Sequence, residues 1–245
     1  MRRFSQNEMK KHIPNLITCC NLISGCLSIL FATRGMLEVA SLMILLSAVF
    51  DFFDGFAARM LKVQSVIGVD LDSLADVVSF GVAPTTILFV FLNQLIDNTL
   101  PPAAQEGLMR ILPYCVFVIP ACSALRLAKF NHDERQHTEF RGLATPANAL
   151  FIGYLHFSAK SLAVLNHFWV VFLLSLTFAV LLLSDIPMFS LKFKNLKFKE
   201  NLVRYIFLAL AVVLFVIFRF GAFPIIILAY ILISLVRIPL KHPLQ

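Results

Sequence analysis

Long apolar runs, separated by short polar or basic stretches, constrain the fold of this chain more than any other feature of its sequence. A helix of about 20 apolar residues spans the core of a bilayer. Eight segments approach that length: residues 14–33, 37–59, 70–94, 111–129, 144–163, 167–187, 202–218 and 221–238. Only 14% of the 245 residues are charged, whereas soluble domains carry about 25%. The sequence therefore predicts an all-α polytopic membrane protein.

The distribution of basic residues predicts how these helices are oriented. Eight crossings place both termini on one side, and that side receives all but four of the 21 Lys and Arg residues: Arg34, Arg110, Lys160 and Arg219. The positive-inside rule then predicts a cell (inner) membrane protein with cytoplasmic termini. Anionic lipid accounts for the net charge of +7, so no nucleic-acid partner is predicted. The first span shows no evident cleavage site and is expected to be a retained helix.

Four aspartates interrupt the apolar pattern where the second span ends and the third begins, within DFFDGFAARMLKVQSVIGVDLDSLAD at 51–76. An Asp at the centre of a membrane helix costs about 2.5–3.5 kcal/mol, so bound cations are expected to neutralise them. With a rise of 1.5 Å per residue, Asp54 and Asp72 lie about 6–8 Å deep, and Asp51 and Asp76 about 12 Å deep. The sequence therefore predicts two carboxylate pairs across antiparallel helices, with the acidic turn on the cytoplasmic side.

An all-carboxylate ligand set indicates a particular chemistry. Oxygen ligands favour Mg²⁺ or Mn²⁺ over Zn²⁺, and two such cations held close together are typical of phosphoryl transfer. The shallow depth of the aspartates suits a phosphate held at the level of the lipid headgroups. The residues therefore predict phosphoryl transfer on a lipid. The alternative is a divalent-cation channel or carrier, which predicts acidic residues in more of the spans than the sequence contains.

Other polar residues leave more than one interpretation open. Asn15, Thr18 and Asn21 share a broad face of the first helix, where they could form interhelical hydrogen bonds or contact a headgroup or nucleotide. His132 and His137 lie in a charged loop, where solvated side chains are expected and metal ligation is the alternative. The five cysteines all fall in apolar spans and are expected to be small buried hydrophobes.

The aspartates also belong to a longer pattern. Asp51-x₂-Asp54-Gly55-x₂-Ala58-Arg59-x₈-Gly68-x₃-Asp72-x₃-Asp76 matches every fixed position in the signature of the CDP-alcohol phosphatidyltransferase family. Within that family, PNLITCCNL, DFFDGFAARMLKVQS, DLDSLADVVSFGVAP and RLAKFN resemble the branch that uses serine, over residues 13–146. Two positions depart from that branch: Asp70 replaces a more usual Glu, and GLATP replaces a GLPSP-like run.

The resemblance implies an architecture and a cofactor. It implies a six-helix core, here residues 1–190, which usually forms a homodimer. Residues 191–245 are then a basic interfacial segment followed by two additional transmembrane helices. It further implies two divalent cations, Mg²⁺ or Mn²⁺, bound by Asp51, Asp54, Asp72 and Asp76. Asp76 is implied to be either a ligand shared by both metals or the general base.

The resemblance also implies substrates. The hydroxyl of L-serine attacks the phosphatidyl phosphorus of CDP-diacylglycerol, and CMP leaves. The residues implied to bind the CDP portion are Gly55, Ala58, Arg59 and Gly68, with Asn15 and Thr18 as further candidates. The serine carboxylate requires a cation, and the candidates for its pocket are Arg126, Lys129 and Arg141, with Asn131 and Thr145 as polar neighbours. Two alternatives remain: these residues mark a cytoplasmic helix end, or the acceptor is glycerol 3-phosphate, which needs a denser basic pocket.

Overall fold

A computed structural model of the chain describes residues 6–63, 65–132, 140–188 and 198–241. Within these ranges the α-helices are α1 Gln6–Thr33, α2 Leu37–Leu61, α3 Val66–Asp76, α4 Ala83–Thr99, α5 Leu108–Ile111, α6 Val118–His132, α7 Thr145–Gly153, α8 Leu155–Ala159, α9 Phe168–Leu183, α10 Phe198–Phe218 and α11 Ala222–Lys241. A π-helical turn, Val77–Val82, joins α3 to α4. Two short strands, β1 Phe140–Arg141 and β2 Pro187–Met188, pair antiparallel.

The structure confirms the predicted all-α polytopic membrane fold. Each of the eight apolar segments coincides with helical structure. The stretches long and apolar enough to cross a membrane are His12–Thr33, Leu37–Leu61, Val66–Thr99, Leu108–His132 and Asn201–Val236. Phe168–Leu183 is a shorter apolar helix. The number of membrane crossings stays a prediction.

The acidic turn is shorter than the sequence indicated. The predicted spans 37–59 and 70–94 leave residues 60–69 between them, but α2 continues to Leu61 and α3 begins at Val66. Lys62 ends α2 in the left-handed conformation, with φ 52°. The Ser65 side chain caps α3 by accepting a hydrogen bond of 3.0 Å from the Gly68 backbone N–H. A serine cap satisfies an amide that the first helical turn leaves unpaired, and it fixes where α3 starts.

The fifth predicted span is not one continuous helix. The helix breaks at Tyr154, between α7 and α8, where φ is −110° and ψ is 3°. The Ser41 hydroxyl donates a hydrogen bond of 2.7 Å to the Gly153 carbonyl, and the Tyr154 hydroxyl donates one of 2.9 Å to the Ser41 carbonyl. These bonds to α2 replace helical hydrogen bonds, so a contact between distant residues overrides the local apolar pattern.

Helix α4 lies at the centre of the molecule. Ile87, Leu88, Leu92 and Ile96 are each 0–1% exposed, and α4 contacts α1, α2, α7 and α9. A helix that is buried on all sides is typical of the core of a membrane bundle. The surrounding helices present large apolar side chains outwards, as expected for surfaces in contact with lipid.

The expectation that the cysteines are buried is wrong for three of them. Cys20, Cys26 and Cys115 are exposed, Cys19 is half-buried, and only Cys122 is buried. The exposed thiols of Cys20 and Cys26 lie on the outward face of α1. Because lipid is as apolar as a protein core, an apolar span does not require its small residues to face inwards.

The last two helices form an antiparallel pair that packs on the rest of the chain. The rings of Phe207 and Tyr230 lie 5.8 Å apart, and those of Phe215 and Phe223 lie 6.0 Å apart. Helix α11 contacts α7 and α8. The Ser158 hydroxyl of α8 donates a 2.8 Å hydrogen bond to the carbonyl of Gly221, at the tip of the pair. The division of the chain near residue 190 stays a prediction.

Candidate active site

Three carboxylates converge where α2 and α3 approach each other. Asp51, Asp72 and Asp76 each offer an oxygen that lies within 4.8 Å of the others. Asp76 is 7% exposed, and Asp51 and Asp72 are half-buried. The Oδ1 atom of Asp72 is buried and accepts no hydrogen bond from the described residues. Carboxylates this close repel each other in a medium of low dielectric, so the cluster is suited to a cation.

Asp54 lies outside this group and has a different partner. Its Oδ2 accepts a 2.7 Å hydrogen bond from the Thr18 hydroxyl of α1, and its side chain is buried. Three residues along a helix rotate a side chain by about 60°, which turns Asp54 away from Asp51. Asp51 thus joins both aspartates of α3, and Asp54, which lines the same cleft as Asp72, also bonds to α1.

Asn21 connects α1 to the deepest aspartate. Its Nδ2 donates a 3.3 Å hydrogen bond to Asp76 Oδ1. Its backbone carbonyl accepts hydrogen bonds from the hydroxyls of Ser47, at 3.1 Å, and Ser79, at 3.0 Å. The sequence places Asn21 on the same helix face as Asn15 and Thr18 and leaves its role open, but it does not include Asn21 among the predicted site residues. The bonds of Thr18 and Asn21 match the interhelical alternative for this face.

A cleft of about 320 Å³ opens beside the aspartates. Its lining includes every residue predicted to bind the CDP portion: Asn15, Thr18, Gly55, Ala58, Arg59 and Gly68. Asp54 and Asp72 also line it. A Cβ atom on Gly68 would lie 2.9 Å from Ser65 Oγ and 3.1 Å from Asn15 Oδ1, so a larger residue would crowd this wall. Nucleotide binding here stays a prediction.

The residues predicted for the acceptor pocket are only partly brought together. Arg126 is 9% exposed and donates a 2.8 Å hydrogen bond from Nη1 to Thr145 Oγ1. The Arg126 guanidinium also interacts electrostatically with Asp76. Asn131 donates a 2.8 Å hydrogen bond to the hydroxyl of Ser73 on α3.

Of the two cations of α6 predicted for the acceptor pocket, Arg126 is buried and Lys129 is exposed. Three residues of α6 are enough to turn one cation inwards and the other outwards. The side chain of Arg141 and the whole of His137 lie outside the described residues. His132 is exposed, in agreement with a solvated side chain.

The π-helical turn Val77–Val82 directly follows Asp76, and its residues Ser79, Phe80 and Gly81 are buried. Such turns occur frequently at functional sites. A Cβ atom on Gly25 of α1 would lie only 2.4 Å from Ser79 Oγ. Glycine at this position therefore lets α1 approach the turn closely enough for Asn21 to reach Asp76.

These contacts define what the site can do chemically. The three clustered carboxylates offer only oxygen ligands, which suit a hard divalent cation. The cleft beside them is lined by small residues and Arg59, and the buried guanidinium of Arg126 interacts electrostatically with Asp76. Carboxylates, an adjacent cleft and a buried cation are the parts required to bind and transfer a phosphorylated group.

Comparison with known proteins shows that the chain is similar to members of one enzyme family. The family model for CDP-alcohol phosphatidyltransferase matches residues 11–233. The CDP-diacylglycerol–serine O-phosphatidyltransferase of Bacillus subtilis is 35% identical over 147 residues, covering 60% of this chain and 76% of the relative. That of Methanocaldococcus jannaschii is 32% identical over 205 residues, covering 82% and 83%. Archaetidylserine synthase of Methanothermobacter thermautotrophicus is 34% identical over 142 residues, covering 57% and 55%.

The match extends from α1 into α11 and includes every aspartate of the site. It therefore covers the cleft, the carboxylate cluster and the helices that position them. The chain belongs to the CDP-alcohol phosphatidyltransferase family.

Proposed function

We propose that this chain transfers the phosphatidyl group of CDP-diacylglycerol to the hydroxyl of L-serine, giving phosphatidylserine and CMP. The observation that carries the chemistry is the convergence of Asp51, Asp72 and Asp76 beside the cleft. Support for serine as acceptor comes from the relatives, whose names specify serine or archaetidylserine. Arg126, which is buried and interacts electrostatically with Asp76, is also compatible with an acceptor that carries a carboxylate.

The carboxylate cluster fits the predicted cofactor. Asp51, Asp72 and Asp76 would hold divalent cations, and Asp54 would contribute from the side of the cleft. The unpaired Oδ1 of Asp72 is the observation that favours a bound ion. When bound, two Mg²⁺ or Mn²⁺ ions neutralise the carboxylates and withdraw negative charge from the phosphates during transfer.

The chain's own residues then bind the substrates and move a proton. The small side chains of Gly55 and Ala58 leave space for the CDP portion, and Arg59 offers its phosphates a cation. Asp76 accepts the proton of the serine hydroxyl, and that oxygen forms a bond to the phosphatidyl phosphorus. The bond from this phosphorus to the oxygen shared with CMP breaks, so CMP leaves with the electron pair. Asn21 holds Asp76 in place through its hydrogen bond.

A substrate panel tests this function. Purified chain is supplied with CDP-diacylglycerol, Mn²⁺ and one acceptor at a time: L-serine, glycerol 3-phosphate or water alone. We expect CMP release that depends on serine, and phosphatidylserine as the lipid product. CMP release with glycerol 3-phosphate but not with serine would overturn the assignment of the acceptor. Mn²⁺ flux through reconstituted vesicles without CMP release would instead support the channel or carrier.

The proposal also includes the membrane location, the orientation and the oligomeric state of the enzyme. We place it in the cell (inner) membrane with the acidic turn and both termini facing the cytoplasm, where CDP-diacylglycerol headgroups and serine meet. The excess of Lys and Arg on that side supports this orientation. We also propose a homodimer, as the family resemblance implies.

A further inference from the structure

A group of buried polar atoms on α6 and α7, the polar layer, lies within one helical turn of the bond between Arg126 and Thr145. Asn148 is 0% exposed, and neither its Oδ1 nor its Nδ2 forms a hydrogen bond with the described part of the chain. The same holds for Arg126 Nε and for Ser123 Oγ. Buried polar groups nearly always have a partner, so four such atoms in one region require an explanation.

The connectivity of the helices places these atoms at one level. Thr145 and Asn148 are separated by three residues, so Asn148 lies one turn further into α7 on a neighbouring face. Ser123 precedes Arg126 by three residues and lies one turn further into α6. Because Arg126, near the end of α6, bonds to Thr145 at the start of α7, one turn back along α6 and one turn forward along α7 bring Ser123 and Asn148 to a similar depth.

This layer adjoins the reaction centre. Arg126 interacts electrostatically with Asp76, and helix α7 contacts the π-helical turn that follows Asp76. A Cβ atom on Gly81 of that turn would lie 3.6 Å from Ser123 Oγ. The unpaired atoms thus lie on helices that pack against the π-helical turn following Asp76.

We propose that Asn148 forms the inner wall of the acceptor site and, with Arg126, selects an amino-acid zwitterion. The inference rests on the proposed function and extends it to a residue that determines specificity. The amide of Asn148 can accept a hydrogen bond from an ammonium group and donate one to a carboxylate. Arg126 Nε supplies a second, charged donor for the carboxylate. Glycerol 3-phosphate has no ammonium group and could not use the acceptor oxygen of the amide.

Asn148→Leu is the direct test, measured on the full chain in detergent. Replacing an unpaired buried amide by an apolar side chain of similar size leaves the thermal unfolding temperature unchanged or raises it. The KM for serine is expected to rise about tenfold or more, because hydrogen bonds to charged groups are lost. The KM for CDP-diacylglycerol is expected to change less than about twofold.

His156→Leu is the matched control. His156, a residue of α8, is also buried. Its ring packs against the rings of Phe91 and Phe157 rather than against Arg126. We expect its KM for serine to equal that of the wild type. A loss of serine affinity in both variants would indicate a general effect of disturbing the bundle and would overturn the inference.

Asn148→Asp is a second test of whether residue 148 selects the acceptor. The carboxylate keeps an acceptor for the ammonium group, loses the donor and repels the serine carboxylate. We expect the ratio of CMP release with ethanolamine to that with serine to rise above the wild-type ratio. An unchanged ratio, or an unchanged KM for serine in Asn148→Leu, overturns the inference while the proposed function stands. A wild-type chain without serine-dependent CMP release overturns the proposed function and this inference with it.

Discussion

Asp51 and Asp54 lie one turn apart on α2, yet they contact different parts of the molecule. Asp51 approaches Asp72 and Asp76, whereas Asp54 accepts the hydroxyl of Thr18. Asp76 in turn accepts the amide of Asn21. Helix α1 therefore orients two of the four aspartates through neutral donors, which fix a carboxylate without supplying a charge that would compete with a cation.

Asp76→Asn is expected to lower CMP release by about 10²–10⁴-fold, because the amide cannot take a proton from the acceptor hydroxyl. CDP-diacylglycerol binding should be largely retained, since the side chain keeps its size. CMP release under saturating substrate and equilibrium binding of labelled CDP-diacylglycerol measure the two effects. The control is Asp70→Asn, an exposed carboxylate of the same helix, which should leave both unchanged. Near-wild-type turnover in Asp76→Asn would remove Asp76 from the catalytic role.

Thr18→Val removes the donor to Asp54 while keeping the shape of the side chain. Loss of a residue that orients a metal ligand typically lowers metal affinity by about tenfold or more. We expect the concentration of Mn²⁺ at half-maximal CMP release to rise, with activity recovering at high Mn²⁺. Thr33→Val serves as the control, because the Thr33 hydroxyl bonds only to the backbone of its own helix. Identical Mn²⁺ titrations for both variants would show that Asp54 needs no such partner.

At the scale of elements, α1 and the π-helical turn act as one unit. The hydroxyls of Ser47 and Ser79 converge on the backbone carbonyl of Asn21. Gly25, one turn along α1, permits the close contact with Ser79. An extra residue in a π-helical turn alters the rotation of the helix after Asp76, which lets Ser79 face α1 and Gly81 face α6.

Gly25→Ala should disturb this contact, because the added Cβ would lie 2.8 Å from the backbone Cα of Ser79. Overpacking of this kind costs about 1–3 kcal/mol of unfolding free energy. Thermal unfolding in detergent should show the loss, and CMP release should fall because Thr18 and Asn21 move with α1. Cys26→Ala, at the adjacent exposed position, should change neither. A thermal unfolding temperature of Gly25→Ala equal to that of the wild type would mean that α1 can shift without lowering the free energy of unfolding.

At the scale of the whole molecule, two exposed ion pairs lie at the end of the bundle away from the acidic turn. Opposite the acidic turn, Arg110 forms a 2.7 Å ion pair with Asp97, and Lys160 pairs with Glu38. These pairs are exposed and contribute about 0–1 kcal/mol each. They do, however, neutralise two of the four basic residues at that end. Because the positive-inside rule counts Lys and Arg rather than net charge, these pairs leave the predicted orientation unchanged.

Cysteine labelling tests the orientation. In a background without the native cysteines, Lys62→Cys reports on the acidic turn and Glu106→Cys on the loop before α5. An impermeant maleimide added to intact cells should label only the variant at 106, because the proposed topology places the acidic turn on the cytoplasmic side. Permeabilised cells should label both, which controls for reactivity. Labelling of the variant at 62 in intact cells would reverse the proposed topology.

The sequence by itself determined the features that depend on neighbours along the chain. Helical periodicity is local, so the spacing of Asp72 and Asp76 was enough to place both on one face. Apolar length alone located the helices, because a bilayer requires about 20 such residues. The family resemblance of the signature also implied which residues of α2 and α3 line the cleft: Gly55, Ala58, Arg59 and Gly68.

Only the tertiary structure decided which partners those residues have. Asp54 joins Thr18, and Asn21 joins Asp76, because α1 packs beside α2 and the π-helical turn. The break at Tyr154 depends on Ser41, more than 100 positions earlier in the chain. The burial of Arg126, with Lys129 exposed, depends on where α7 lies. Such contacts join residues far apart in sequence, and in a membrane the apolar pattern does not distinguish a face packed on protein from a face in contact with lipid.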